Sequence, residues 1–204
     1  MKKSLYTLLL VGMSLSLATA QTEKGRWTVG TEAGNLIYRN QNFNKTFSAD
    51  LTPSAGYFLA NGLLVGTGLP ISFTHQTASS FISKYTGTGI GLSPFICYYF
   101  GPSRLKPYAG LSYSYIRVSR QYVTPGGDAS GKGYSTVFAP TVGLAYFINR
   151  TVALNAGLNY TSATSDTPGL RFSGQPNPTP SVIMLKSNDK SLSLAVGFQL
   201  FFGK

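Results

Sequence analysis

Large apolar residues alternate with small or polar residues along most of this chain. The final segment shows this most clearly, because one face collects Leu192, Leu194, Val196, Phe198, Leu200 and Phe202. A period of two places successive side chains on opposite faces of a β-strand and does not fit a helix. We identify eight such segments, at residues 27–38, 47–58, 63–74, 87–100, 107–118, 134–147, 151–162 and 192–202.

The stretches between these segments alternate in length. They are short after the second, fourth and sixth segments, at residues 59–62, 101–106 and 148–150. They are long after the first, third, fifth and seventh, at residues 39–46, 75–86, 119–133 and 163–190. Short turns at one rim and long loops at the other are typical of an up-and-down barrel. The predicted fold class is therefore all-β, an eight-stranded antiparallel up-and-down transmembrane β-barrel, whose even strand count leaves no open edge.

Charged residues decide between a membrane barrel and a soluble barrel of the lipocalin kind. Only 11% of the chain is charged, and the eight segments contain just Glu32, Asp50 and Arg117. A soluble barrel turns its apolar face inward and needs a charged exterior. Three charges are too few to coat a water-facing surface. We therefore expect the large residues to face lipid and the small ones to line a narrow lumen.

The N-terminus has the features of a secretory signal peptide. Two lysines precede an apolar run over residues 5–17, and small residues at 18–20 precede Gln21. This order of basic, apolar and small residues is what a signal peptidase substrate requires. An uncleaved membrane anchor is the alternative, but the run is shorter than the ~20 residues of a helical span. We predict a cleaved signal peptide at residues 1–20 and a barrel domain at residues 21–204.

Aromatic residues occur in two bands on the predicted lipid-facing side. Six of them are predicted interfacial anchors: Trp27, Tyr57, Phe100 and Phe202 near the short-turn rim, and Tyr113 and Tyr115 near the long-loop rim. Such belts settle at the two membrane interfaces of outer-membrane barrels. A general preference of aromatic residues for strands explains their number. It does not explain their placement in two bands.

The final strand reads AVGFQLFF over residues 195–202. With the signal peptide, the eight segments and the loop asymmetry, it resembles the outer-membrane β-barrel domain proteins of Gram-negative bacteria, the small porin-like or OmpA/OmpX-like group. The resemblance covers residues 25–204 and rests on architecture. It implies residence in the cell outer membrane and a C-terminal aromatic residue read by the barrel assembly machinery. Here Gly203 and Lys204 follow Phe202, which displaces that signal by two residues.

An eight-stranded barrel encloses an interior just wide enough to be filled by side chains. Near the short-turn rim the inward positions are aromatic, which predicts a periplasmic lumen plug formed by Phe58, Phe95, Tyr99, Phe147 and Phe201. Towards the long-loop rim the inward positions become small and polar. We expect a shallow cup that opens outward and is plugged below, without a diffusion channel. A narrow passive porin-like channel is the alternative.

Glu32 and Asp50 are the only acidic residues at inward positions of the eight segments. A buried carboxylate needs a partner or loses its charge. The two residues therefore form either a cation or ligand site or a lumen polar network that stabilises the barrel. Arg117 occupies an outward-facing position of the two-residue alternation near the upper rim. It is expected to reach anionic head groups, unless a bulge turns it inward.

Little in the composition supports catalysis or a cofactor. A single Cys and a single His exclude Cys-rich and multi-histidine metal sites, and we expect no metal, no cofactor and no enzymatic activity. Cys97 is interpreted as a small inward filler. His75 raises one alternative, an outer-membrane lipid acyl hydrolase with a Ser or Thr nucleophile. Its loop lacks an acidic residue to orient the imidazole.

The four long loops carry eight basic and three acidic residues, a net charge of +5. We expect contact with outer-membrane lipids, including lipopolysaccharide phosphates, although solvated loops without a ligand explain the same charge. Export removes nucleic acid as a partner. The sequence thus predicts a non-enzymatic outer-membrane barrel with a structural or surface-interaction role through its extracellular loops. The stretch at residues 163–190 has a length typical of functional or disordered loops.

Overall fold

The computed structural model describes residues 21–41, 44–77, 83–172 and 180–203, and the predicted signal peptide lies outside them. Nine strands make up most of these ranges: β1 (Trp27–Gln41), β2 (Asn44–Ala60), β3 (Leu63–Gly68), β4 (Ile71–Thr77), β5 (Lys84–Tyr99), β6 (Leu105–Thr124), β7 (Gly127–Phe147), β8 (Val152–Phe172) and β9 (Pro180–Phe202). No helix in the described ranges is long and apolar enough to cross a membrane.

All nine strands belong to one antiparallel sheet whose two ends meet. β1 pairs with β2 on one side and with β9 on the other. All the remaining positions in the ring also pair with both of their neighbours. β3 and β4 together fill one position between β2 and β5. The predicted antiparallel barrel is confirmed, with eight positions around the ring. The predicted count of eight strands differs by one, because the third strand is divided.

The predicted third strand, residues 63–74, is divided into β3 and β4 at Leu69 and Pro70. Proline has no N–H to donate and therefore interrupts the ladder of a strand. The neighbouring strands stay attached, because the Leu69 N–H donates to the Pro53 carbonyl at 2.8 Å and the Gly91 N–H donates to the Pro70 carbonyl at 3.0 Å. The wall therefore remains continuous across the break.

Two of the four stretches predicted to be long loops are instead largely paired strands, so these two predictions are wrong. Residues 119–133 form the outer part of a β6–β7 hairpin, in which Thr124 pairs with Gly127. The described part of residues 163–190 forms the outer part of a β8–β9 hairpin. Apolar alternation stops where the strands leave the lipid, but backbone pairing continues, because a strand in water tolerates Ser, Thr and Lys on its outward face. The other two long connections are also shortened by extended strands.

The barrel turns its large residues outward. On β9, Leu194 and Val196 are 70% and 58% exposed, whereas Gln199 and Phe201 point inward and are buried. Successive strands repeat this arrangement, with exposed apolar positions alternating with buried or small ones. This confirms the predicted orientation, in which bulky side chains point outward and small ones face the axis.

The wall formed by β6 to β9 is taller than the rest of the barrel. These strands have 20, 21, 21 and 23 residues, and β1 has 15. A rise of ~3.3 Å per residue and a tilt of ~40° give the tall wall a height of roughly 50 Å, about twice the apolar band of a membrane barrel. The β8–β9 hairpin also leans inward, because the Pro168 carbonyl accepts hydrogen bonds from the Tyr122 hydroxyl at 2.8 Å and from Arg120 at 3.2 Å.

The pairing between β1 and β9 is short. It runs from Trp27 with Phe202 to Ala33 with Val196, and no described residue pairs with the facing edges above that level. We call this opening the seam. The four most exposed large apolar side chains among the described residues lie along it, namely Leu36 at 77%, Tyr38 at 73%, Leu194 at 70% and Leu192 at 65%.

The seam is expected to be visible in amide hydrogen exchange. Strand N–H groups point alternately to the two neighbouring strands, so every second amide of β9 above Val196 has no sheet partner on the β1 side. In detergent micelles, residues 187–195 should exchange faster than residues 197–202. The part of β7 that pairs on both sides is the control. Equal protection of the two β9 stretches would contradict an open seam.

Candidate functional site

Aromatic side chains fill the lumen near the short turns. Phe58, Phe147 and Phe201 are fully buried, and Tyr99 is buried with them. The Phe201 ring centroid lies 5.0 Å from the Phe147 centroid and 6.1 Å from the Phe58 centroid. The Phe58 and Tyr99 centroids are 6.0 Å apart. Phe95 is partly buried and packs against this cluster. The five predicted plug residues therefore lie together, and the cluster also contains Leu64, Cys97, Tyr108, Ala145 and Ala153.

A second, cationic layer lies below the plug, and the sequence pattern did not predict it. Lys106 is 1% exposed, and its Nζ donates to the Gly101 carbonyl at 2.8 Å. The same ammonium lies 5.8 Å from the Phe147 ring centroid, within the range of a cation–π interaction. Lys106 is two residues from Tyr108 and shares its inward face, which is the signal that could have identified it. It lies, however, in the stretch 101–106 that the alternation predicts to be a turn.

The segment before β1 crosses the same end of the barrel. Arg26 is buried, and its guanidinium donates to the carbonyls of Gln21 and Arg150, each at 3.1 Å. Burial lowers the pKa of the Arg26 guanidinium, and the nearby Glu23 carboxylate acts in the opposite direction. The Gly62 N–H donates to the Thr22 carbonyl at 2.8 Å. Residues 21–26 therefore form a cap beneath the aromatic plug.

A small cavity of about 120 Å³, lined by both polar and apolar side chains, lies above the plug. Glu32, Asn155 and Gln199 contribute to its lining, together with several Ser and Thr side chains. Asn155 Nδ2 donates to Glu32 Oε1 at 3.4 Å, and the Tyr99 hydroxyl donates to Gln199 Oε1 at 2.8 Å. The cavity has room for water molecules but is smaller than the pockets that hold organic ligands.

The two inward carboxylates do not converge on this cavity. Glu32 lines it, whereas Asp50 is absent from its lining and lies farther along the lumen, opposite Gly34 on β1 and Ser72 on β4. Glu32 instead meets Asn155 on β8, across Gly197 of the intervening strand β9. The role of both carboxylates, as a ligand site or as a structural network, stays a prediction.

His75 lies on the outward side of β4 near the hairpin end. Its Nδ1 is 3.2 Å from the Thr86 hydroxyl, and its ring stacks on Phe73 at a centroid distance of 6.5 Å. The imidazole thus has a hydroxyl neighbour of the kind that the hydrolase alternative requires. No described carboxylate forms a hydrogen bond or ion pair with His75, and an orienting carboxylate completes a triad of this type.

The predicted anchors are distributed on the outer wall. Trp27 and Tyr57 pair across β1 and β2 with ring centroids 5.0 Å apart, and Phe100 packs edge-on against Tyr98 at 4.9 Å. Phe202 is exposed at the same end. Nearer the hairpins, Tyr113 and Tyr115 on β6 are 53% and 45% exposed. Their function as anchors at the membrane interfaces stays a prediction.

Residues 6–199 match a family model described as outer membrane protein beta-barrel domain. Curated proteins give no match. A solved major outer membrane protein from Thermus thermophilus is similar with a TM-score of 0.53 and 16% identity, over 87% of this chain and 99% of that one. OprG from Pseudomonas aeruginosa gives a TM-score of 0.48 and 15% identity, over 91% and 99%. Neisserial surface protein A gives 0.43 and 21%, over 87% and 97%.

The match spans nearly the whole chain, and the Thermus structure is similar in fold to the closed antiparallel sheet described above. In barrels of this type the short turns face the periplasm and the longer connections face outward. By this rule we expect the plug and cap at the periplasmic end and the tall hairpins outside the cell. The chain belongs to the outer membrane protein beta-barrel domain family and resides in the cell outer membrane.

Proposed function

We propose that this protein is a non-conducting, non-enzymatic barrel that has a structural role in the outer membrane and presents its tall hairpins at the cell surface. The observation that carries the proposal is the closure of the periplasmic end. Three fully buried Phe rings fill the lumen there, and Lys106 and Arg26 are held beneath them by backbone carbonyls. A pore for hydrated solutes needs a continuous water-filled lumen, and this arrangement interrupts it.

The outer half of the molecule supports the surface role. The strands of the β6–β9 wall extend roughly 25 Å beyond the apolar band of a typical membrane barrel. Polar side chains bond across the β8–β9 hairpin, including Thr164 to Asn188 at 2.9 Å and Ser165 with Ser187 at 2.8 Å. Paired strands with internal hydrogen bonds present a fixed surface, which lowers the conformational entropy that a binding partner must remove.

Planar-bilayer recordings test the closed lumen. We expect purified wild-type protein to give no stable, large single-channel steps. The double variant Phe58→Ala/Phe147→Ala removes two of the three fully buried Phe rings of the plug and should raise the frequency of conducting events. The matched control Phe100→Ala/Phe138→Ala removes two outward rings that are 47% and 44% exposed, and should behave as wild type. Stable steps from the wild-type protein would establish the channel alternative instead.

A further inference from the structure

Two cations project from the outer wall on the neighbouring strands β6 and β7. Arg117 on β6 lies directly opposite Tyr134 on β7, and Lys132 is two residues from Tyr134 on the same face. Side chains in such a diagonal relation have backbones about 7–8 Å apart, so both head groups can reach one anion. Neither cation forms an ion pair with a described carboxylate. Asp166, which pairs with Tyr134 from β8, does not line the depression around the two cations.

Arg117 and Lys132 border a depression of about 720 Å³ on the outer surface. Its wall includes Phe73, Ile90 and Tyr115. The Tyr115 and Tyr134 rings stack with centroids 6.0 Å apart and planes inclined by 17°. The depression thus combines two unpaired cations and phenol hydroxyls with apolar side chains, which suits an amphiphile with an anionic head group.

The height of the two cations matches the head groups of the outer leaflet. Arg117 is twelve residues beyond Leu105, and Lys132 is fourteen residues before Tyr146, which pairs with Leu105 near the periplasmic end. With a rise of ~3.3 Å per residue and a tilt of ~40°, these positions are roughly 30 and 35 Å above that end. Taking Leu105, which is 48% exposed, as the lower edge of an apolar band about 25 Å tall, both cations lie roughly 5–10 Å beyond its upper edge.

We propose that Arg117 and Lys132 bind a phosphate group of an outer-leaflet glycolipid, with its acyl chains lying on the apolar wall of the depression. A guanidinium donates two parallel hydrogen bonds to phosphate oxygens, and an ammonium adds a compact positive charge. This site is on the lipid-facing surface and does not depend on whether the lumen conducts. It gives the positive charge of β6 and β7 a defined ligand, in place of general attraction to an anionic surface.

Native mass spectrometry of the detergent-solubilised barrel tests the proposal. The probes are bisphosphorylated lipid A, the same lipid without phosphates, and inorganic phosphate. We expect the wild-type protein to bind one phosphorylated lipid, and Arg117→Gln/Lys132→Gln to weaken the apparent Kd at least about tenfold. The control Lys186→Gln/Lys190→Gln removes two exposed strand cations elsewhere and should bind as wild type. Raising the salt concentration should also weaken binding.

Three outcomes would overturn the proposal. The first is equal affinity of the wild-type and Arg117→Gln/Lys132→Gln proteins for the phosphorylated lipid. The second is equal binding of the lipid without phosphates, which would assign recognition to the acyl chains alone. The third is equally tight binding of inorganic phosphate, which would identify a soluble anion as the ligand. A heat-modifiability gel establishes that both double variants are folded before they are compared, and outward Gln residues leave the plug and the strand pairing intact.

Discussion

Replacing Phe201 with alanine is expected to lower the free energy of unfolding by about 3–5 kcal/mol, the usual loss when a buried Phe becomes Ala. Phe201 is fully buried and lies between two other fully buried rings, Phe58 and Phe147. Its removal leaves a cavity bordered by rigid strands on all sides. The backbones of the surrounding strands cannot move into that space without breaking strand pairs, so the loss is expected to lie in the upper part of the range.

Urea titration of vesicle-reconstituted protein measures this effect, with the fluorescence of Trp27, the single tryptophan, as the signal. The matched control is Phe198→Ala on the same strand, because Phe198 points outward and is 44% exposed. We expect this control to lose less than half as much stability. Equal losses at the two positions would mean that the lumen cluster contributes no more than a lipid-facing ring.

Gly66→Ala is expected to destabilise the barrel by about 3 kcal/mol or to prevent folding, at or beyond the upper end of the usual cost of overpacking. A Cβ at this position would press against the Ala55 carbonyl oxygen and lie 2.7 Å from Gly56 Cα and 2.6 Å from Phe95 Cζ. The first two contacts are backbone atoms of the paired strand β2. They cannot move away without breaking the ladder between β2 and β3.

Gly34→Ala is the matched control for this substitution. A Cβ at Gly34 would meet no atom within 4 Å, and removing a glycine restricts the unfolded chain, which stabilises a protein by about 0.4–1 kcal/mol when the site is compatible. The yield of heat-modifiable protein and the urea midpoint distinguish the two variants. Wild-type yield and midpoint for Gly66→Ala would show that β2 and β3 are less closely packed than described.

The sequence predicted the strand positions well within the lipid and poorly beyond it. Inside the membrane each strand residue faces either hydrocarbon or the lumen, so polarity alternates and the strand is visible in the sequence. Beyond the membrane both faces meet water, and residues such as Ser165 and Ser187 carry no alternation although they pair. The break at Pro70 was missed because Leu69, Ile71 and Phe73 keep the same parity on both sides of it.

The part of the candidate site that depends only on which strand residues point inward could be predicted from the alternation. Phe58, Tyr99, Phe147 and Phe201 occupy inward positions of separate strands, and inward aromatic residues at one end of a narrow barrel must meet. The cap was not predictable in this way. Arg26 precedes the first strand, and its acceptor Arg150 lies 124 residues away in a turn. Nothing in the local pattern of either residue indicates that contact.

The sequence by itself determined the closed antiparallel ring, the outward orientation of Leu194 and Val196, and the aromatic lumen, because period-two alternation is a property of each strand alone. Only the tertiary structure decided the cationic cap, the inward lean of the hairpin at Pro168, and the register that places Arg117 diagonally across from Lys132. Those contacts depend on the register between strands and on the course of the chain beyond the lipid. Neither leaves a periodic signal in the sequence, since each depends on residues from separate elements arriving at one place.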